Sequence, residues 1–275
     1  MGQTIACANQ KGGVGKTTTV VNLASYLGLL GDRVLVIDLD PQGNGTSGFG
    51  VDRSKVERSM YDAIVDDVPL SELIVQGAAD GVDLVPSAIA LAGAELELAA
   101  ATARERRLRR LVEPLSATYD VIFIDCPPSL GLLTVNALTA ADAVLIPLQC
   151  EYYALEGLTQ LLATIDLVRD HLNPHLALDG VVLTMYDART NLSSDVAAEA
   201  RRHLGDTVYE TVIPRSVRLS EAPSHGLPIT RYAPESRGGA AYERLAHEFR
   251  ARSGREGPPA IPTDSDVRDA AMVMS

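Results

Sequence analysis

The sequence predicts one α/β domain, a single doubly wound and mostly parallel sheet with helices on both faces. Short β-branched runs alternate with longer amphipathic stretches, the pattern of strands joined by crossover helices. Several of these runs are apolar throughout, as strands buried on both faces are. With 275 residues the chain is long enough to build one sizeable core.

The first run, Thr4–Ala8, ends in a glycine-rich segment. The helical stretch Lys16–Leu30 follows, in which Val20, Leu23, Leu27 and Leu30 recur at helical spacing and predict one inward-facing side. Arg33–Ile37 and Val82–Val85 are the next strands, and Arg104–Leu115 the next helix. Three strand–helix pairs come after: Val121–Ile124 with Leu130–Thr139, Ala143–Pro147 with Leu155–His171, and Leu178–Thr184 with Ser194–Leu204. The strand Thr207–Val212 and the helix Gly239–Arg252 complete the pattern. From Ser253, a Ser-Gly-Arg-Glu-Gly-Pro-Pro run with scattered Asp beyond it predicts a disordered tail, so the domain is expected to span 1–252 and the tail 253–275.

No apolar run approaches the roughly 18–20 residues needed to cross a bilayer. The N-terminus lacks a charged region before an apolar stretch, and Ala6 stands where N-myristoylation needs Ser or Thr. The expected address is the cytoplasm. Ala270–Met274 is apolar but short, without the pairing of Lys or Arg with Phe, Leu or Trp that marks a membrane-surface helix. The chain starts at its first strand, so no N-terminal helix-turn-helix is expected. Cys7, Cys126 and Cys150 are odd in number and lack metal-ligand spacing, which favours small buried hydrophobes over a cluster shared between subunits. The net charge of −12 excludes a protein coated in positive charge, though not a local basic patch. From Tyr186 to Arg250 nine Arg balance nine Asp and Glu with no Lys, so the acidity lies elsewhere.

Asn9-Gln10-Lys11-Gly12-Gly13-Val14-Gly15-Lys16-Thr17-Thr18 lies between the first strand and the first helix. Three glycines let the backbone turn sharply and aim successive N–H groups at phosphate oxygens, where the helix N-terminus adds partial positive charge. In such a phosphate loop Lys16 reaches the β- and γ-phosphates of ATP, and the Thr17 hydroxyl ligates Mg2+. The strict G-x-x-x-x-G-K-[ST] pattern fails at Gln10 and gains an additional lysine, Lys11. Two acidic strand ends reinforce the reading. Val34–Ile37 runs into Asp38-Leu39-Asp40-Pro41-Gln42-Gly43, and Val121–Ile124 into Asp125-Cys126-Pro127-Pro128. Ligands bind at the carboxyl ends of parallel strands, so these carboxylates should face the loop.

At these residues the chain resembles the ParA/MinD family of deviant Walker-A P-loop ATPases, and within it the small chromosomal Soj-type members. The likeness extends through Gln149–Leu158 and Leu219–Gly226 and covers roughly residues 3–250. It implies a homodimer that sandwiches ATP, with Lys11 reaching the partner's phosphates and Gly12 where the chains meet. It implies further that Asp40 positions the attacking water while Asp38 and Asp125 help order Mg2+. The ATP-bound dimer is expected to bind double-stranded DNA without sequence preference, on the nucleoid, and to be released when a ParB-type centromere-binding partner stimulates hydrolysis. Pro214 and Ser216 fall in a loop near the adenine, and Ser216 departs from the Asn that relatives often carry. For DNA the resemblance points to Arg189 and Arg218. Read locally, the denser run Arg104, Arg106, Arg107, Arg109 and Arg110 is the wet face of an amphipathic helix whose dry face is Leu108, Leu111 and Leu115. Two rival classes are a MinD-like membrane-cycling division-site regulator and a metabolic enzyme on the same fold. The tail argues against the first, and the Gln149–Leu158 block against the second.

Overall fold

The computed structural model describes residues 2–99, 101–151 and 154–254. The expected tail beyond Gly254 lies outside the described residues, as do Tyr152 and Tyr153 of the glutamate–tyrosine block. In chain order the strands are β1 (Gln3–Cys7), β2 (Val34–Asp38), β3 (Val75–Ala79), β4 (Val82–Val85), β5 (Val121–Asp125), β6 (Ala143–Gln149), β7 (Ala177–Tyr186) and β8 (Val208–Pro214). The helices are α1 (Lys16–Leu29), α2 (Asn44–Gly48), α3 (Met60–Asp66), α4 (Leu91–Leu98), α5 (Arg107–Val112), α6 (Leu132–Ala140), α7 (Ala154–His171), α8 (Asn191–Leu204), α9 (Val217–Glu221), α10 (Ile229–Tyr232) and α11 (Arg237–Arg252).

All eight strands form one sheet in the order β3-β4-β2-β5-β1-β6-β7-β8, parallel except for β3. The chain leaves β1 toward β2, returns through β5, and continues on the other side of β1 with β6. This reversal leaves a crevice at the carboxyl ends of the central strands, the usual ligand position in such sheets. The register there is close: Asp125 pairs with Cys7 on one side and with Asp38 on the other. One core layer sets Ile122, Ile124 and Leu35 against residues of α3 to α8. The opposite layer sets Ile5, Val34 and Phe123 against α1, α10 and α11.

Two sequence expectations need correction. The first helix was expected to bury one side, but Thr19–Leu27 of α1 are all buried. The cause is a second covering layer, because Tyr242 and Ala246 of α11 pack on the flank that would otherwise meet water. The expected helix Arg104–Leu115 is broken into a 3-10 turn at Arg104–Arg106, α5, and a second 3-10 turn at Glu113–Leu115. Pro114, at the start of that last turn, has no N–H to continue α-helical bonding.

At the β8 edge of the sheet, Glu248 of α11 accepts from the backbone N–H groups of Glu210 and Thr211 at 2.8 and 2.9 Å. Arg252 donates to the Val208 carbonyl at 3.0 Å and stacks 4.0 Å from the Tyr209 ring centre. These two side chains occupy backbone groups that an edge strand otherwise leaves open.

Candidate active site

β1 delivers the chain to the phosphate loop, and neighbouring strands fix the loop's shape. Asn9 Nδ2 donates to the Pro147 carbonyl of β6 at 2.7 Å, while its Oδ1 accepts from Lys11 N at 3.0 Å. From β7, Thr184 Oγ1 donates to the Val14 carbonyl at 2.8 Å. Gly13 and Gly15 have φ of 74° and 92°, the left-handed region that side chains with a Cβ avoid. Gly15 provides no side-chain cap to α1, so the first N–H groups of the helix are left to face an anion.

The loop opens on a cavity of about 540 Å³ lined by Gly12, Gly13, Gly15, Lys16, Thr17 and Thr18, with Asp40 and Pro128 beside them. Lys16 is largely buried and its Nζ donates to the Lys11 carbonyl at 3.3 Å, so its charge is held inside the loop. Val14 is buried beneath the loop instead of lining it. Lys11 lies to one side, its Nζ 3.4 Å from Glu151 Oε2, and Arg215 approaches the other oxygen of Glu151 at the same distance. Gly12 is exposed, and a Cβ built there would find its nearest neighbour, Pro128 Cβ, at 3.8 Å. Nothing among the described residues requires glycine at that position.

The three carboxylates converge below the loop in different states. Asp40 lines the cavity, and one of its oxygens accepts from Gln42 N at 2.9 Å. Asp38 is fully buried; its Oδ2 accepts from Thr46 N and Oγ1 at 2.6 and 2.7 Å, and its Oδ1 from Asp40 N at 3.2 Å. Burial pushes the Asp38 carboxyl up to about 6 in spite of those bonds. Asp125 is equally buried, yet among the described residues neither of its oxygens receives a well-directed hydrogen bond. Burial, and then the charge of Asp38, raise its pKa well above the carboxylate range, while the Thr17 hydroxyl and Lys16 act against that shift. A buried carboxylate without well-directed donors, beside a threonine hydroxyl, is a fitting place for a hydrated divalent cation. Mg2+ usually takes one or two protein oxygens and draws its other ligands from water and phosphate. The cysteines are all buried and free, and burial pushes Cys150 up to about 11.

Other residues fall differently from expectation. Pro214 and Ser216 are not among the cavity-lining residues; Met185, Ala222, Pro223 and Ser224 are. Met185 holds a left-handed φ of 50° at the end of β7, which nothing in its sequence context signals. Asn9 and Thr184, which anchor the loop, carry no motif signal either. Both arginines assigned to DNA are exposed, and both are paired with acidic neighbours. Arg189 Nη2 is 2.7 Å from Asp187 Oδ2, and Arg218 Nη1 is 2.9 Å from Glu221 Oε2. The denser arginine run departs from a simple wet face. Arg107 turns inward and donates to the carbonyls of Ile64 and Val65 at the end of α3, both at 3.0 Å, while Arg110 reaches Asp67 at 3.7 Å.

This fold and this loop, with carboxylates at the ends of β2 and β5, define a P-loop nucleoside triphosphatase. Comparison with known proteins narrows the class. The AAA domain family matches residues 2–178. The chain is 57% identical over 251 residues to the sporulation initiation inhibitor protein Soj of Bacillus subtilis, covering 91% of this chain and 99% of that one. It is 51% identical to the chromosome partitioning protein ParA of Caulobacter vibrioides, covering 90% and 94%. Among solved structures, cobyrinic acid a,c-diamide synthase from Mycobacterium smegmatis, with bound ATP analogue and magnesium, superposes with a TM-score of 0.80 at 40% identity, covering 94% of this chain and all of that one. The septum site-determining protein MinD of Pyrococcus horikoshii, complexed with Mg-ADP, gives 0.77 at 29% identity, covering 92% and 98%. The chain belongs to the ParA/Soj family of chromosome-partitioning ATPases.

Proposed function

We propose that this ATPase binds ATP with Mg2+ and drives DNA segregation by cycling between an ATP-bound dimer on DNA and a released form. The observation that carries the nucleotide chemistry is Asp125, buried and, among the described residues, without a well-directed donor, beneath a cavity lined by Lys16, Thr17 and Asp40. Thr17 and Asp125, with Asp38 behind them, would hold the cation, which would supply charge neutralisation at the phosphates. Lys16 and the loop N–H groups bind and orient the triphosphate. Asp40 keeps one carboxylate oxygen free of Gln42, and that oxygen positions the attacking water.

Dimerisation is supported by the face around Gly12. The site on one chain holds a glycine that nothing among the described residues requires, next to a lysine whose ammonium pairs with half-buried Glu151. Exposed ion pairs of this kind contribute little, so Lys11 can leave Glu151 for a partner's phosphates at small cost. Arg189 and Arg218 serve DNA, and a ParB-type partner stimulates release. Sedimentation with plain duplex DNA or with anionic liposomes, with and without ATP, tests the reading. ATP-dependent pelleting with DNA alone supports it. Pelleting with liposomes alone favours the MinD-like alternative. Turnover that requires an acid substrate and a nitrogen donor favours a diamide synthase.

A further inference from the structure

α2 follows the Asp40 loop immediately, and it is too short and too rich in glycine and serine to form a stable helix by itself. Its place is fixed by a chain of buried hydroxyls that no sequence motif marks. Thr46 and Ser87 are both fully buried, Thr46 on α2 and Ser87 just beyond the end of β4. Thr46 Oγ1 donates to Asp38 Oδ2 at 2.7 Å and accepts from Ser87 N at 2.9 Å. Ser87 Oγ in turn donates to the Asp40 carbonyl at 2.7 Å. The same carbonyl accepts from Gly43 N at 2.9 Å and closes the Asp40–Gly43 turn. The Asp40 peptide is therefore gripped at both ends, through its N–H by Asp38 and through its carbonyl by Ser87 and Gly43. Gly45 permits the close fit, since a Cβ there would sit 3.0 Å from Asp38 Oδ2 and 3.5 Å from Asp125 Oδ2.

We infer that Thr46 is a positioning residue for ATP hydrolysis, whose single hydroxyl locks the Asp38 carboxylate and, through Ser87, the backbone of Asp40 into one unit. The argument is geometric. A hydroxyl that donates once and accepts once inside a dry site has a single satisfactory orientation. Each bond then restricts the next, and the chain ends on the peptide that sets where the Asp40 carboxylate points. Small displacements of such a group are costly to the rate although the ground state is bound as before. The part of this inference that concerns Asp40 rests on the water-positioning role proposed above; the clamp on Asp38 does not.

The test is steady-state ATP hydrolysis by the full chain, with thermal unfolding followed in parallel. Thr46→Val removes the hydroxyl at nearly constant volume, and kcat is expected to fall about tenfold or more, the scale of a hydrogen bond to a charged acceptor. The KM for ATP should stay within about twofold of wild type, because Lys16 and the loop are untouched. Thr46→Ser keeps the hydroxyl and should restore most of the rate. Wild-type kcat in Thr46→Val overturns the proposal, and so does a loss in Thr46→Ser as large as in Thr46→Val, which would make the methyl group the important part. Should Thr46→Val fail to fold, Ser87→Ala breaks only the link to Asp40. Its kcat should fall roughly fivefold, the scale of a neutral bond, and an unchanged kcat there counts against the unit. In an Asp40→Ala background, Ser87→Ala should cost nothing more, whereas a further multiplicative loss shows that Ser87 acts by another route. Full turnover in Asp40→Ala by itself would defeat only the water-positioning reading, and the Thr46 pair would still decide the clamp on Asp38.

Discussion

The centre of the sheet and the last third of the chain handle charge in opposite ways. At the ends of β2 and β5, carboxylates are buried and, among the described residues, one of them lacks a well-directed donor. In the last third, Arg189 and Arg218 sit in water and each is paired with an acid two or three residues away. A buried carboxyl without a well-directed partner is expensive to ionise, so its placement here points to a ligand that completes the site. A surface pair costs little and reveals little. The nucleotide site can thus be read from what it lacks. At the proposed DNA surface, phosphate would first have to displace an internal partner.

The first test of this contrast is Lys16→Ala, which removes the charge held within the loop. Calorimetric titration should show ATP affinity reduced by roughly a hundredfold or more, about 3 kcal/mol for a charged contact; unchanged affinity would end the assignment of the loop. Asp40→Ala should lower kcat by about a hundredfold while gel filtration with ATP still shows a dimer. On the same column Gly12→Val should remain monomeric yet unfold at the wild-type temperature, because the chain itself has room for the side chain. Not every arginine of the last third is peripheral. Arg250 is buried against Asp32 and donates to the Leu30 carbonyl at 2.8 Å. Arg250→Ala is expected to cost about 3–5 kcal/mol in a denaturant titration, and a near-neutral result would mean that the pair is solvated.

DNA binding probes the other side of the contrast. With two phosphate contacts from each of two subunits, log K against log salt should have a slope of roughly −3.6, a loss of about two orders of magnitude between about 50 and 200 mM. The Arg189→Ala/Arg218→Ala variant should bind all sequences more weakly with a flatter slope, and wild-type binding at both salts would move the surface elsewhere. The smallest expected effect concerns pH. Native Asp38 keeps its proton up to about pH 6, whereas an unfolded Asp carboxyl releases it near 3.8. Between those values the native state binds more protons, so this group's contribution to stability falls as pH rises. In protein free of magnesium and nucleotide, the melting temperature of Asp38→Asn minus that of wild type should therefore climb between about pH 4 and pH 7. A flat difference would show that Asp38 is ionised throughout.

What the sequence revealed follows from how strongly each feature constrains local composition. Buried parallel strands must be apolar throughout, so β1, β2, β5 and β6 stood out, and with them the acids that end β2 and β5. β3 is Val-Gln-Gly-Ala-Ala on an edge, with little to bury, and it left no recognisable run. α2, α9 and α10 are four or five residues long and depend on tertiary contacts for their shape. The phosphate loop was legible because a tight anion cradle admits few sequences. Thr46 and Ser87 were not, since a hydroxyl that serves a distant backbone resembles any other small polar residue. The pairing of Arg218 with Glu221 was present in the i, i+3 spacing, but whether such a pair forms depends on rotamers that spacing does not fix.

The closure of β8 by Glu248 and Arg252 bears on how the protein behaves at high local concentration. Where copies are crowded, an open strand border would let neighbouring molecules join sheet to sheet into fibres. On this border the N–H groups of Glu210 and Thr211 and the carbonyl of Val208 are already engaged by the protein's own side chains. Part of this border is therefore already occupied, which disfavours strand addition there.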